Sequence, residues 1–150
     1  VGNLIASHTV EIEAPLGDVY AVAADVPAAH VWNPALTSVE VLETDAEGRA
    51  ELVNMKANAL VRETTQRVRF SYQPPEGLSW IQEKGDVKSL EGSWELIELD
   101  AERTRATYAL DIDPGRILGM LLRGPVEGKV KEFLSKGAAE GLKEHIEAAS

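Results

Sequence analysis

PVEGKVKEFLSKGAAEGLKEHIEA, residues 125–148, is the stretch on which the fold turns. Val126, Val130, Phe133, Leu134, Gly137, Ala138, Gly141, Leu142 and Ile146 recur at helical spacing and form one apolar stripe. Glu127–Lys131 and Glu132–Lys136 stand four apart on the other side, acid before base, the order that supports a helix. The spacing predicts a helix of about 24 residues from Pro125, roughly 36 Å long. Its stripe needs a surface of similar length to cover it.

The residues upstream supply that surface. From Val39 to Ile112 the pattern is β-rich, with candidate strands Ser38–Thr44, Arg49–Asn58, Val61–Tyr72, Leu78–Glu83, Ser89–Leu99 and Thr104–Ile112. Turn compositions separate them at Asp45–Gly48, Pro74–Gly77, Lys84–Asp86 and Asp100–Arg103. Consecutive strands with short connections make an antiparallel meander. Ahead of it, His8–Ile12 alternates as a further strand, ended by Ala14-Pro15. Asp18–Asp25 puts Val19, Val22, Ala23 and Val26 on one helical face, and a brief helix or turn follows between Pro27 and Pro34. The long helix therefore packs on the sheet.

Composition bounds what such a domain can do. At 150 residues with 44% apolar and 27% charged content, the chain reads as one soluble domain with room for a core and a cavity. The absence of cysteine excludes disulfides, Cys-ligated zinc and a thiol nucleophile. A formal charge of −10 argues against binding a phosphate backbone, so no nucleic-acid partner is expected. The charge is uneven, because residues from Arg116 onward hold six basic and five acidic side chains. Ile117–Leu122, broken by Gly119, is far short of the ~20 residues that span a bilayer, and no signal peptide is visible, so a cytoplasmic location is expected.

Several motifs resemble the START-like, or helix-grip, superfamily of polyketide cyclases/dehydrases and lipid transport proteins. They are Ile12-Glu13-Ala14-Pro15, His30-Val31-Trp32-Asn33-Pro34, Val39–Glu43, Leu90-Glu91-Gly92-Ser93-Trp94-Glu95-Leu96 and Ala106–Leu110, spread over almost the whole chain. The resemblance implies an α+β helix-grip fold. In it, a curved antiparallel sheet of about seven strands wraps a long C-terminal helix, with two short helices after the first strand and a cavity between sheet and helix. One single domain covers residues 1–150. Because this scaffold hosts carriers, sensors and cyclases alike, the resemblance bears on fold more than on activity.

The residues point to a cavity on their own. In Val61–Tyr72 the odd positions Glu63, Thr65, Arg67, Arg69 and Ser71 are almost wholly polar, so the even face is the inner one. That parity carries Arg62, Thr64 and Gln66 inward with Phe70 and Tyr72. Polar groups there need partners, which a wet pocket or a ligand head group would supply. Arg62 is the candidate anchor for an anionic or polar ligand end, or else a guanidinium satisfied within the sheet. Trp80, Trp94 and Tyr108 face inward as plain core or as cavity wall. Trp32 either caps the cavity mouth or plugs the end of the sheet, and Phe133 belongs to the helix stripe. Gly137 and Gly141 mark close approach of helix to sheet or space left for a ligand.

His8, His30 and His145 show no metal-ligand spacing, and there is no phosphate loop or nucleophile elbow, so neither a metal nor a cofactor is expected. The leading expectation is non-covalent binding of a hydrophobic or amphipathic small molecule such as a lipid, isoprenoid or aromatic polyketide. An aromatase/cyclase using the same cavity is the alternative, with Arg62, Tyr72, Tyr108 and His30 as its candidate acids, bases or oxyanion donors. A protein-interaction module on the same fold is a third. Oligomeric state is not legible.

Overall fold

The computed structural model describes residues 3–60 and 62–149. Seven strands form one antiparallel sheet: β1 (Leu4–Ile12), β2 (Leu36–Thr44), β3 (Ala50–Asn58), β4 (Glu63–Gln73), β5 (Gly77–Gly85), β6 (Ser89–Asp100) and β7 (Arg103–Asp113). Their spatial order is β1-β7-β6-β5-β4-β3-β2, so β2 to β7 are the expected meander and β1 closes beside its last strand. Helix α1 (Leu16–Ala23) and a 3-10 helix (Val26–Val31) link β1 to β2. Helix α2 (Gly115–Leu121) precedes α3 (Pro125–Ala148), which lies across the inner face of the curved sheet. The helix-grip α+β architecture is therefore present. Helix α2 is an element the sequence pattern did not separate from α3.

The two periodicities explain the core. Along β1, Leu4, Ala6, Val10 and Ile12 are buried and alternate with mostly exposed residues; along β7, Thr104, Ala106, Tyr108, Leu110 and Ile112 are buried and alternate with mostly half-buried ones. On α3, Val130, Leu134, Ala138, Leu142 and Ile146 are buried against this surface. Phe133, expected in the same buried stripe, is only half-buried, beside the Trp32–Pro34 segment. The stripe read from sequence is wider than the contact the sheet offers.

Polar groups pin the ends. Thr104, fully buried, donates its hydroxyl to the Ala14 carbonyl at 2.8 Å and so fixes the β1–α1 turn to β7. At the C-terminal end of α3, Glu147 accepts the Glu13 N–H at 2.9 Å while Lys143 bonds the Glu11 carbonyl at 2.6 Å. The Glu147 carboxyl is held below its ordinary pKa, chiefly by its hydrogen bond from Lys143. Helix α3 therefore runs from the loop end of the sheet, where β7 finishes, to the end where β1 finishes.

Its glycines serve an approach different from the one expected. A Cβ on Gly141 would collide with the Trp32 carbonyl oxygen, and one on Gly137 would come within 3.2 Å of the Pro34 ring. The close partner is the segment between the 3-10 helix and β2, not the sheet.

Candidate ligand cavity

The parity of β4 sets the first wall. Thr64, Gln66, Val68 and Phe70 are buried and face inward, while Glu63, Thr65, Arg67 and Ser71 are exposed. Arg69, also on the outer face, pairs with Glu83 at 2.5 Å and Glu51 at 3.2 Å. The parity does not extend to Arg62. Strand β4 begins at Glu63, and the preceding turn passes through Leu60 at φ 69°, so Arg62 is exposed and does not line the cavity. Its expected inward placement is corrected on that ground. Val61, assigned to the strand from sequence, lies outside the described residues.

Between sheet and α3 lies a cavity of about 110 Å³. Its floor is a row of rings. Trp32 meets Trp94 edge-on at 6.0 Å, Trp94 meets Tyr108 at 4.8 Å, Tyr108 meets Trp80 at 5.6 Å and Trp80 meets Phe70 at 5.5 Å. Trp80 can lie flat across β6 because its cross-strand neighbour is Gly92, where any Cβ would collide with the indole ring. Val130 and Leu134 of α3 form the roof, and Leu118 and Leu122 border the end nearest α2. Trp32 also stands against α3, its carbonyl oxygen at Gly141.

Of the ten residues named from sequence, Trp32, Thr64, Gln66, Phe70, Trp80, Trp94 and Tyr108 line this cavity, and Arg62, Tyr72 and Phe133 do not. Tyr72 is drawn aside: its hydroxyl donates to the Ala50 carbonyl at 2.5 Å and the Arg49 guanidinium stacks over its ring at 4.7 Å. Burial pushes its pKa up to about 12. His30 is exposed and does not line this cavity. Asn33 is the residue sequence reasoning passed over. It is buried, lines the cavity and accepts the Ala35 N–H at 3.1 Å. A polar residue beside Trp32 in the Pro-bracketed segment was the available signal.

The polar atoms are few and specific. Tyr108 is the only titratable side chain among the described residues lining the cavity; burial raises its pKa, opposed by a hydrogen bond from the Asn33 side chain. Its phenol therefore stays neutral. Thr64 is held weakly, its hydroxyl 3.5 Å from the Ala57 carbonyl. Gln66 is 4% exposed, and its carboxamide has no side-chain hydrogen-bond partner among the described residues. The Trp32 indole N–H is fully buried without a partner. A fully buried donor in that state, as the Trp32 N–H is, costs about 1–3 kcal/mol unless something in the cavity bonds it. No cluster of three or more potential metal ligands occurs among the described residues.

The family model described as polyketide cyclase/dehydrase and lipid transport matches residues 12–135. The chain belongs to that family. Solved structures agree on the fold. A START superfamily protein from Mycobacterium smegmatis is 19% identical, covers 99% of this chain and 100% of its own, and superposes with a TM-score of 0.85. A protein from Thermus thermophilus is 23% identical over 97% of this chain and 99% of its own, at a TM-score of 0.82. The Zhui aromatase/cyclase from Streptomyces sp. R1128 is 23% identical over 95% and 93%, at 0.75. No curated protein matches the chain. For this member of the polyketide cyclase/dehydrase and lipid transport family, the cavity is the place where sequence parity, aromatic packing and unpartnered polar atoms coincide. No helix among the described residues is long and apolar enough to cross a membrane.

Proposed function

We propose that the protein binds a compact amphipathic small molecule non-covalently, its apolar part on the ring floor and its polar end at Gln66. The observation that carries this reading is the Gln66 carboxamide, which has no side-chain hydrogen-bond partner among the described residues and stands on the wall of a mostly apolar cavity. About 110 Å³ is below the roughly 300–1,000 Å³ of pockets for drug-sized ligands, so the interior takes about one ring or a short chain end. Register supports the orientation. Gln66 pairs with Gly85 near the loop end of the sheet, whereas Phe70 pairs with Trp80 further in. A ligand thus enters apolar end first, and anything longer extends toward the loops.

The cyclase alternative has less in its favour. Its candidate acids and donors reduce to Tyr108, a neutral phenol, because Arg62 and His30 are exposed and Tyr72 is bonded to Ala50. A carrier or sensor needs no acid or base.

Phenol and toluene test the reading by calorimetric titration, since they differ only in the group that Gln66 would meet. Gln66→Leu is expected to weaken phenol binding about tenfold and leave toluene within about twofold. Its melting temperature should stay close to wild type, because Gln66 has no side-chain hydrogen bond among the described residues for the substitution to break. Equal weakening for both probes, or no binding of either by wild type, would overturn the proposal.

A further inference from the structure

Antiparallel pairing fixes which loops share one end of the sheet. Ile112 pairs with Leu4 and Leu90, Gln66 with Gly85, Asn58 with Glu63, and Leu36 with Ala57. Residues 59, 60 and 62, the 86–88 loop and the β7–α2 junction therefore lie together. The cavity reaches this end, bordered by Ala59, Val87, Pro114, Leu118 and Leu122. The opposite end carries the turns with Asp45, Glu47, Glu76, Asp100 and Glu102, about 30 Å away along strands of this length.

Two segments at the cavity end hold no acidic residue, one between Glu51 and Glu63 and one between Asp113 and Glu127. Both put large apolar side chains into solvent: Leu60 from the first, and Ile117, Met120 and Leu121 from the second, at 74%, 59% and 50% exposure. Helix α2 is thus apolar on two faces. Leu118 and Leu122 line the cavity, while the 117, 120 and 121 face points outward. Arg62, Arg116 and Arg123 are exposed around it, and among the described residues none has a carboxylate within ion-pairing distance. Three carboxylates at this end accept hydrogen bonds. Asp86 accepts the Thr65 N–H at 2.7 Å, Asp113 the Gly115 N–H at 3.0 Å, and Glu63 the Thr37 hydroxyl at 3.3 Å.

We propose that this end docks on an anionic lipid bilayer, with Leu60, Ile117, Met120 and Leu121 entering the headgroup region and the three arginines facing lipid phosphates. Apolar insertion beside basic charge is the chemistry of interfacial binding. The acidic turns lie several Debye lengths from the surface, since screening at physiological salt acts over about 8 Å. A symmetric second copy fits less well, because it would set the same arginines against each other. The docking rests on the cavity reading only for its purpose, which is to let an apolar ligand pass between bilayer and cavity without crossing water.

Co-sedimentation with vesicles decides it, using phosphatidylcholine alone and phosphatidylcholine mixed with phosphatidylglycerol. Wild type should bind the mixed vesicles, bind the neutral ones more weakly, and lose binding as salt is raised. Met120→Glu with Leu121→Glu alters two exposed positions, so the melting temperature should hold while binding falls about tenfold or more. Failure of wild type to bind the mixed vesicles, or binding unaffected by the double variant, overturns the proposal. So does a wild-type dimer in light scattering that the double variant converts to monomer, which would give this face to a second copy. The vesicles are probed without phenol, so a negative result here leaves the cavity reading intact.

Discussion

Leu142→Ala is expected to lower the free energy of unfolding by about 2–5 kcal/mol, the range for truncating a packed core leucine. Leu142 has 0% of its surface exposed and lies on the face of α3 that covers β1, in one cluster with Val10, Ile12, Ala138 and Ile146. The neighbours cannot collapse freely into the space left behind. Ala138 has little to move, and the backbone of β1 is fixed by its pairing with β7 along its whole length. Alanine's better helix propensity returns only a few tenths of a kcal/mol. Denaturant melting measures the difference, and a loss below about 0.5 kcal/mol would contradict the docking of α3 on the sheet.

Two glycines of the same helix should respond with opposite sign. Gly128→Ala adds a methyl group where nothing lies within 4 Å, so it should stabilise by up to about 1 kcal/mol through helix propensity and a less flexible unfolded chain. Gly141→Ala has the same backbone benefit, but its Cβ would collide with the Trp32 carbonyl oxygen, and a carbonyl cannot rotate away as a side-chain tip can. Overpacking of this kind costs about 1–3 kcal/mol, which exceeds the gain. The displaced segment also carries Trp32 and Asn33 into or out of the cavity wall, so phenol binding should weaken together with stability. Paired melting curves and titrations read both effects. A Gly141→Ala protein as stable as Gly128→Ala would mean that the Trp32–Pro34 segment does not lie against the helix.

Much of this was legible because period and parity are strong signals where one face is buried. Helix α3 runs from Pro125 to Ala148, as the stripe and its charge pairs implied, and the six strands from β2 to β7 fall within a few residues of their expected bounds. The inner face of β4 followed from its polar odd positions. What the sequence did not carry depends on tertiary placement. Parity holds only inside a strand, so it misplaced Arg62, which stands one residue before β4 starts. The width of the apolar stripe suggested full burial of Phe133, whereas the Trp32–Pro34 segment covers that side incompletely. Tyr72 has the right parity, yet a carbonyl at Ala50 and a guanidinium at Arg49 draw it away from the cavity. The glycines of α3 marked a close approach but could not name what approaches.

The most direct test of the cavity as a ligand site is the set of nuclear Overhauser contacts between bound phenol and the protein. Phenol ring protons should contact the rings of Trp94, Tyr108 and Phe70, with the Gln66 side-chain amide shifting as phenol is added. Bound phenol whose contacts are confined to outer-face residues such as Ile81 and Ile97, with the Gln66 amide unmoved, would contradict it.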